Sequence, residues 1–304
     1  MTTMKDRCYN QSMDIQQMKY FLAIAKEGSI SKAAELLYMT QPSLTRQVQN
    51  MEREIGKPLL IRGGKRLKLT ETGELLKKRA EEIVELFGKA ELELMSLNSN
   101  IGGDIYIGGG ETRAMKILTD IAAKVHNDHP EIRFHLHSGD IADVCEKLDK
   151  GLIDFGLMIE PAHLAEYKHL TLPFFDEWGI ILPSSHPLAQ KQSISPEDLA
   201  GVPLLRSKHA ADRSSISEWI SRIPDQKLIA TYNLLYNASL MAEAGMGCVL
   251  CIDGIINLKG NDALCFRPLE PAIHSGISVA WKQDQLLSKA ASLFLEYMKK
   301  EFNS

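Results

Sequence analysis

The chain has 304 residues, 44% hydrophobic and 24% charged, which is core material for two or three ordinary domains. No apolar run approaches the ~20 residues that span a bilayer, and residues 1–12 (MTTMKDRCYNQS) lack the apolar stretch of a secretory signal, so the chain is expected in the cytoplasm with no membrane partner. The formal charge of -4 hides an asymmetry: residues 1–70 hold 12 Lys+Arg against 6 Asp+Glu, the remainder 23 against 33. A basic N-terminal module on an acidic body points to a polyanion partner for that module alone. Cys8, Cys145, Cys248, Cys251 and Cys265 are odd in number and scattered, as reduced thiols are, and do not suggest a disulfide framework.

Met18, Phe21, Leu22 and Ala25 fall at i, i+3, i+4 and i+7 and predict the apolar face of a first helix, ended by Gly28. Ser29 and Ser31 are candidate caps for a short second helix that buries Ala33, Ala34 and Leu37. Tyr38-Met39 reads as a tight turn. Thr40 is placed to cap a third helix, whose first turn tolerates Pro42 because its N–H groups have no intrahelical partner. Leu44, Val48, Met51 and Ile55 form its inward stripe, leaving Gln41, Ser43, Thr45, Arg46 and Gln49 outside. Those side chains suit base edges in a major groove, Arg for guanine, Gln for adenine, Ser and Thr adaptably. A plain surface helix would be polar outside as well. The cations that follow tip the balance. Arg53, Lys57, Arg62, Lys65, Arg66 and Lys68 surround a Gly63-Gly64 hairpin tip, with Leu67 and Leu69 alternating as in a strand. Such a basic wing neutralises phosphates without reading sequence.

From Met13 to Leu76 the chain resembles the winged helix-turn-helix of LysR-type transcriptional regulators. The matching pieces are SKAAELL (31–37), QPSLTRQVQNMERE (41–54), Gly56, Leu59, Arg62 and LTETG (69–73). The resemblance implies DNA contacts from Ser31 and Lys32 on the second helix, and from Gln41, Ser43, Thr45, Arg46 and Gln49 on the third. It also implies wing contacts from Arg62, Lys65 and Arg66. Leu60 stands where the family usually has Phe, and the wing tip has a doubled Gly.

Residues 71–98 predict one long helix after the DNA-binding domain of residues 13–70. Leu76, Ala80, Ile83, Phe87, Ala90, Leu94 and Leu97 are spaced alternately by four and three, the a/d signature of helix-on-helix packing. A dimer seam here would set two recognition helices roughly 34–36 Å apart, one DNA turn. The resemblance implies the same dimer helix, with dimers often pairing into tetramers.

Beyond a polar joint, residues 102–304 alternate strand and helix as α/β folds do. Strands are expected at 104–108, 133–136, 154–159, 178–182, 228–232, 248–252 and 277–281. Helices are expected at 141–150, along Met115, Leu118, Ala122 and Val125, after the Ser195-Pro196 cap, and at 286–302. LDKGLIDFG (148–156), HPLA (186–189), DLAGVPLL (198–205) and AGMG (244–247) resemble the LysR effector domain, itself similar to periplasmic solute-binding proteins. The resemblance implies one lobe of about 102–175 with 272–304 and a second of about 176–271. In open α/β sheets ligands lie at the carboxyl ends of strands, and two lobes add a cleft. Thr112, after the run Gly108-Gly109-Gly110, is the first expected effector contact, followed by Ser138, Gly139, Arg206, Ser207 and Asn233. Arg206 would suit a carboxylate effector.

Catalytic and metal signatures are lacking, so neither an enzyme nor a cofactor is expected. Arg113 stands where a dinucleotide fingerprint needs its last Gly, and there is no nucleophile elbow or His-Glu-x-x-His. Cys248 and Cys251, three apart on a strand, face opposite sides. His135 and His137 share a strand face with no further ligand at suitable spacing. The expected partners are double-stranded DNA, a small-molecule effector and a second copy of the chain. A solute-binding protein or an enzyme acting on the cleft ligand is the rival reading.

Overall fold

The computed structural model describes residues 13–61, 67–96, 102–160, 164–208 and 215–302. The chain divides into two compact units at Leu94/Met95.

In the first unit, α1 (Ile15–Glu27) starts at a reciprocal cap. Asp14 accepts the Gln17 N–H at 2.7 Å, and Gln17 Oε1 accepts the Asp14 N–H at 3.2 Å. Gly28 ends it in the left-handed region, φ 61. The cap of α2 (Ile30–Leu36) is Ser29, which accepts the Lys32 N–H; Ser31 lies inside the helix. Thr40 caps α3 (Gln41–Ile55) through the Ser43 N–H. The buried arc of α1 differs from the expected stripe. Phe21 and Ile24 are fully buried with Tyr20 and Ala23 packed beside them, while Met18, Leu22 and Ala25 are only half-buried. The reason is that α1 packs against both α2 and α3, so its buried face centres between residues 21 and 24. Leu44, Val48 and Met51 of α3 meet this face together with Ala33 and Ala34.

Strands β1 (Leu60–Ile61) and β2 (Lys68–Leu69) pair antiparallel, Leu60 opposite Leu69. Glu52 of α3 pins β1 by accepting the N–H groups of Leu59 and Leu60. The LTETG segment ties the hairpin to α4 (Glu71–Ser96). The Thr70 hydroxyl donates to the Pro58 carbonyl and accepts the Gly73 N–H. A side chain at Gly73 would sit 2.2 Å from the Leu59 carbonyl oxygen, so this close approach requires glycine.

In the second unit the chain forms β3 (Gly103–Gly109), α5 (Met115–Asp128), β4 (Ile132–Ser138), α6 (Ile141–Asp149) and β5 (Phe155–Ile159). A strand of 17 residues follows, β6 (Tyr167–Pro183), then β7 (Pro203–Ser207), α7 (Ser215–Ser221) and β8 (Lys227–Tyr232). The remainder is α8 (Leu235–Glu243), β9 (Cys248–Ile252), β10 (Leu264–Pro268), β11 (His274–Lys282) and α9 (Lys289–Phe302). Among the described residues the sheet order is β4-β3-β5-β11-β6-β9-β7-β8, with β10 also on β6.

The first half of β6 pairs with β11, and its second half with β9 and β10, so one strand serves two lobes. Each lobe keeps parallel neighbours, β4-β3-β5 in one and β8-β7-β9 in the other. Separate cores follow. Ile107, Phe155 and Phe294 lie in the first lobe, Trp219 and Leu250 on one face of the second, and Leu205 and Val249 on its other face.

Two helices are shorter than expected. The Ser195 cap opens only a 3-10 turn, Pro196–Leu199, closed by the Ser195 N–H to Asp198. The last helix begins at Lys289 because the Ser288 hydroxyl accepts the Ala291 N–H; Leu286 stays exposed. Cys248 and Cys251 fall in different cores on opposite faces of β9, and burial pushes the Cys248 thiol up to about 11 and the Cys251 thiol higher still. Both thiols are therefore protonated and inert at neutral pH.

Candidate nucleic-acid interface and ligand cleft

The α2–turn–α3 surface presents most of the expected contact residues together. Ser31, Lys32, Gln41, Ser43, Arg46 and Gln49 are all exposed. Thr45 is half-buried, and its hydroxyl donates to the Gln41 carbonyl at 2.8 Å. Inside the corner, Tyr38 takes a positive φ of 53 and is 99% exposed, an outward knob at the tip of the turn. The wing residues Arg62, Lys65 and Arg66 lie outside the described residues, as does Leu97.

Along α4 the a/d line changes character. Leu76 packs on the helix-turn-helix core and Ala80 is fully buried within the chain, so neither is free for a seam. Ile83, Phe87, Ala90 and Leu94 are exposed, and Leu86 joins them. A helix exposing Ile, Phe and Leu at this spacing has an apolar face that a second helix can cover.

The second unit has a cavity of about 510 Å³ at the carboxyl ends of β3, β4, β7 and β8. Four of the expected effector residues line it: Ser138, Gly139, Ser207 and Asn233. Arg206 and Thr112 do not. Arg206 alternates with Ser207 along β7, so only one of the two side chains faces the cleft. The Thr112 side chain is buried and accepts the Ala114 N–H at 3.0 Å, local turn chemistry at the entry to α5. The glycine run also has another use. Side chains at Gly108 and Gly109 would collide with Ile153 and Leu157, so these glycines admit neighbouring side chains, and of the run only Gly110 lines the cavity.

Several lining residues were not apparent in the sequence. Trp178 and Tyr232 contribute rings, and Leu157, Ile159 and Ile252 apolar wall. The Trp178 Nε1–H donates to Ser275, and the Tyr232 hydroxyl to the Leu250 carbonyl, which fixes both rings. Two contacts join the lobes beside the cavity. Glu111 accepts the N–H of Leu235, the first residue of α8, at 2.7 Å, and Arg113 pairs with Asp253 at 2.9 Å. Asp176 lies at the crossover, 2% exposed, with neither carboxylate oxygen in a well-formed hydrogen bond among the described residues. Burial pushes its carboxyl up to about 6, opposed only in part by Thr112 and Arg113. His135 and His137 are each engaged by a carboxylate, Asp104 and Asp143 respectively, and the described residues contain no cluster able to hold a metal ion.

Comparison with known proteins accords with this two-part arrangement. Residues 15–74 match the family model of bacterial regulatory helix-turn-helix proteins of the lysR family, and residues 98–303 match the LysR substrate binding domain. The chain is 28% identical over 301 residues to the uncharacterized HTH-type transcriptional regulator YvbU of Bacillus subtilis, covering 96% of this chain and 100% of that one. It is 34% identical over 187 residues to a protein of Chlorokybus atmophyticus described as a "Probable RuBisCO transcriptional regulator", covering 61% of this chain and 60% of that one. Full-length CbnR, solved in complex with its target DNA, superposes with a TM-score of 0.74 at 19% identity, over 95% of this chain and 99% of that one. At that identity the likeness speaks for the fold. No described helix is long and apolar enough to cross a membrane.

Proposed function

This chain belongs to the LysR family of bacterial transcriptional regulators, and from that premise we propose how its parts divide the work of an effector-modulated, DNA-binding regulator. Residues 13–70 bind DNA, 71–98 connect and dimerise, and 102–304 sense the effector, with lobes of about 102–175 plus 272–304 and 176–271. The observation that carries this reading is the outer face of α3, where Gln41, Ser43, Arg46 and Gln49 stand exposed in one surface. Arg46 and the two glutamines read base edges, while Ser31, Lys32 and Thr45 position the helix on the backbone. Arg62, Lys65 and Arg66 of the wing add phosphate contacts.

Ile83, Phe87, Ala90 and Leu94 form the seam with a second chain, and this dimer, alone or paired into a tetramer, sets the spacing of half-sites. The effector lies in the interlobe cavity against Ser138, Gly139, Ser207 and Asn233 and shifts DNA binding through different affinities for two lobe arrangements. The chain is a regulator and not an enzyme, acting in the cytoplasm where its DNA is. In vitro selection from random duplex DNA tests this. Enrichment of an inverted repeat with half-sites one helical turn or a multiple apart is expected, and a folded protein that enriches no motif would overturn it.

A further inference from the structure

We infer that the ligand of the interlobe cavity is a cation, an amine with an apolar body, and not a carboxylate; this rests on the cavity being the effector site. The charged side chains that line it among the described residues are Glu111, Asp140, Asp143, Glu160 and His137, with no Lys or Arg. The imidazole of His137 is already paired with Asp143. Among the described residues an incoming carboxylate therefore meets four carboxylates and no lysine or arginine.

Helix N-termini are the usual alternative anion site; of the three that reach this cavity, those of α6 and α8 already hold one of the chain's own carboxylates, and Ile216 of α7 lines it as well. Asp140 caps α6 by accepting the Asp143 N–H at 3.0 Å, and Glu111 reaches across to the first N–H of α8. An anion would have to displace the chain's own carboxylates from those positions. Glu160 lies over Gly276, where a side chain would sit 2.6 Å from its Oε2, so the glycine leaves room for this carboxylate.

A further carboxylate lies outside the lining, near Trp178. Asp176 stands opposite Ser275 in the register of β6 and β11, and Ser275 accepts the Trp178 Nε1–H, so Asp176, Ser275 and Trp178 share one face of the crossover. Asp176 is buried without a well-formed hydrogen bond, two residues before Trp178, which lines the cavity. A carboxylate in low dielectric favours a nearby cation far more than one in water does. The rings of Trp178 and Tyr232 offer faces for cation–π contact, and Leu157, Ile159 and Ile252 take the apolar body.

Calorimetric titration of the full chain with phenethylamine, phenethyl alcohol and phenylacetate tests the charge on one scaffold. The amine is expected to bind at least about tenfold more tightly than phenylacetate, with the alcohol between them, a gap of roughly 1.4 kcal/mol. The exposed Glu160→Gln should narrow the gap between amine and alcohol. Phenylacetate binding as tightly as the amine, or an amine no better than the alcohol, overturns the inference. If such binding is lost in a Ser138→Trp variant that fills the cavity, the cavity remains the effector site and only its charge preference falls. Absence of saturable binding by all three overturns both.

Discussion

The recognition surface and the ligand cleft hold their polar residues in opposite states. On α2 and α3 the side chains of Lys32, Gln41, Arg46 and Gln49 stand in solvent. In the cleft, Glu111 is bound to α8, His137 to Asp143, and the Trp178 and Tyr232 polar atoms to Ser275 and Leu250. A DNA-facing surface can gain its contacts without first breaking others. In the cleft, Glu111 bonds across to the other lobe at Leu235, and on the proposed function a ligand that displaces it would alter how the lobes are held. On that proposed function, one region docks and the other switches.

The strongest test of that division is Phe21→Ala, which removes a fully buried ring from the helix-turn-helix core. Its expected loss is about 3–5 kcal/mol, seen in calorimetry as a fall in the transition of the first unit alone. A single merged transition moving as a whole would break the comparison.

Asp176→Asn addresses the cleft. The carboxyl is raised from an ordinary 3.8 to about 6, so the folded state holds its proton more tightly and wild-type stability falls as pH rises through this window. The variant should therefore be more stable by about 2–3 kcal/mol at pH above 6. The gain should shrink as pH falls from 6 and vanish below about 4. Denaturant titrations at the two ends of that range measure it, and a gain that is equal at both ends would contradict the assignment to Asp176.

A smaller effect is expected from Glu111→Ala, which leaves the N-terminus of α8 without its carboxylate. The loss is about 1 kcal/mol, accompanied by faster hydrogen exchange at the Leu235 amide. Unchanged exchange there would mean that this contact does not hold the lobes together.

The same contrast explains what could be read in the sequence. Thr40, Gly28 and the inward stripe of α3 are decided by neighbours within a few residues, and their signals are local. The strands at Cys248–Ile252 and Lys227–Tyr232 were legible as short apolar or β-branched runs. The first half of β6 was not, because Tyr167–Glu177 alternates imperfectly and is held by its pairing with β11, about a hundred residues away.

The cleft was legible only in part for the same reason. Ser138, Gly139, Ser207 and Asn233 sit at strand ends, a position that topology predicts. Glu111, Glu160 and Trp178 reach the cavity through the packing of two lobes, which no local pattern encodes. Arg206 was drawn in by its chemistry and excluded by the strand's period of two.

The central claim is that α3 reads DNA sequence. The most direct test is binding of the full chain, at physiological salt, to the intergenic DNA beside its own gene and to unrelated DNA of equal length, with wild type and Arg46→Ala compared. Preferential binding to the intergenic DNA by the wild type, reduced about 10–100-fold by Arg46→Ala, is the expected result. Preferential binding that survives Arg46→Ala unchanged would contradict the role given to this helix face.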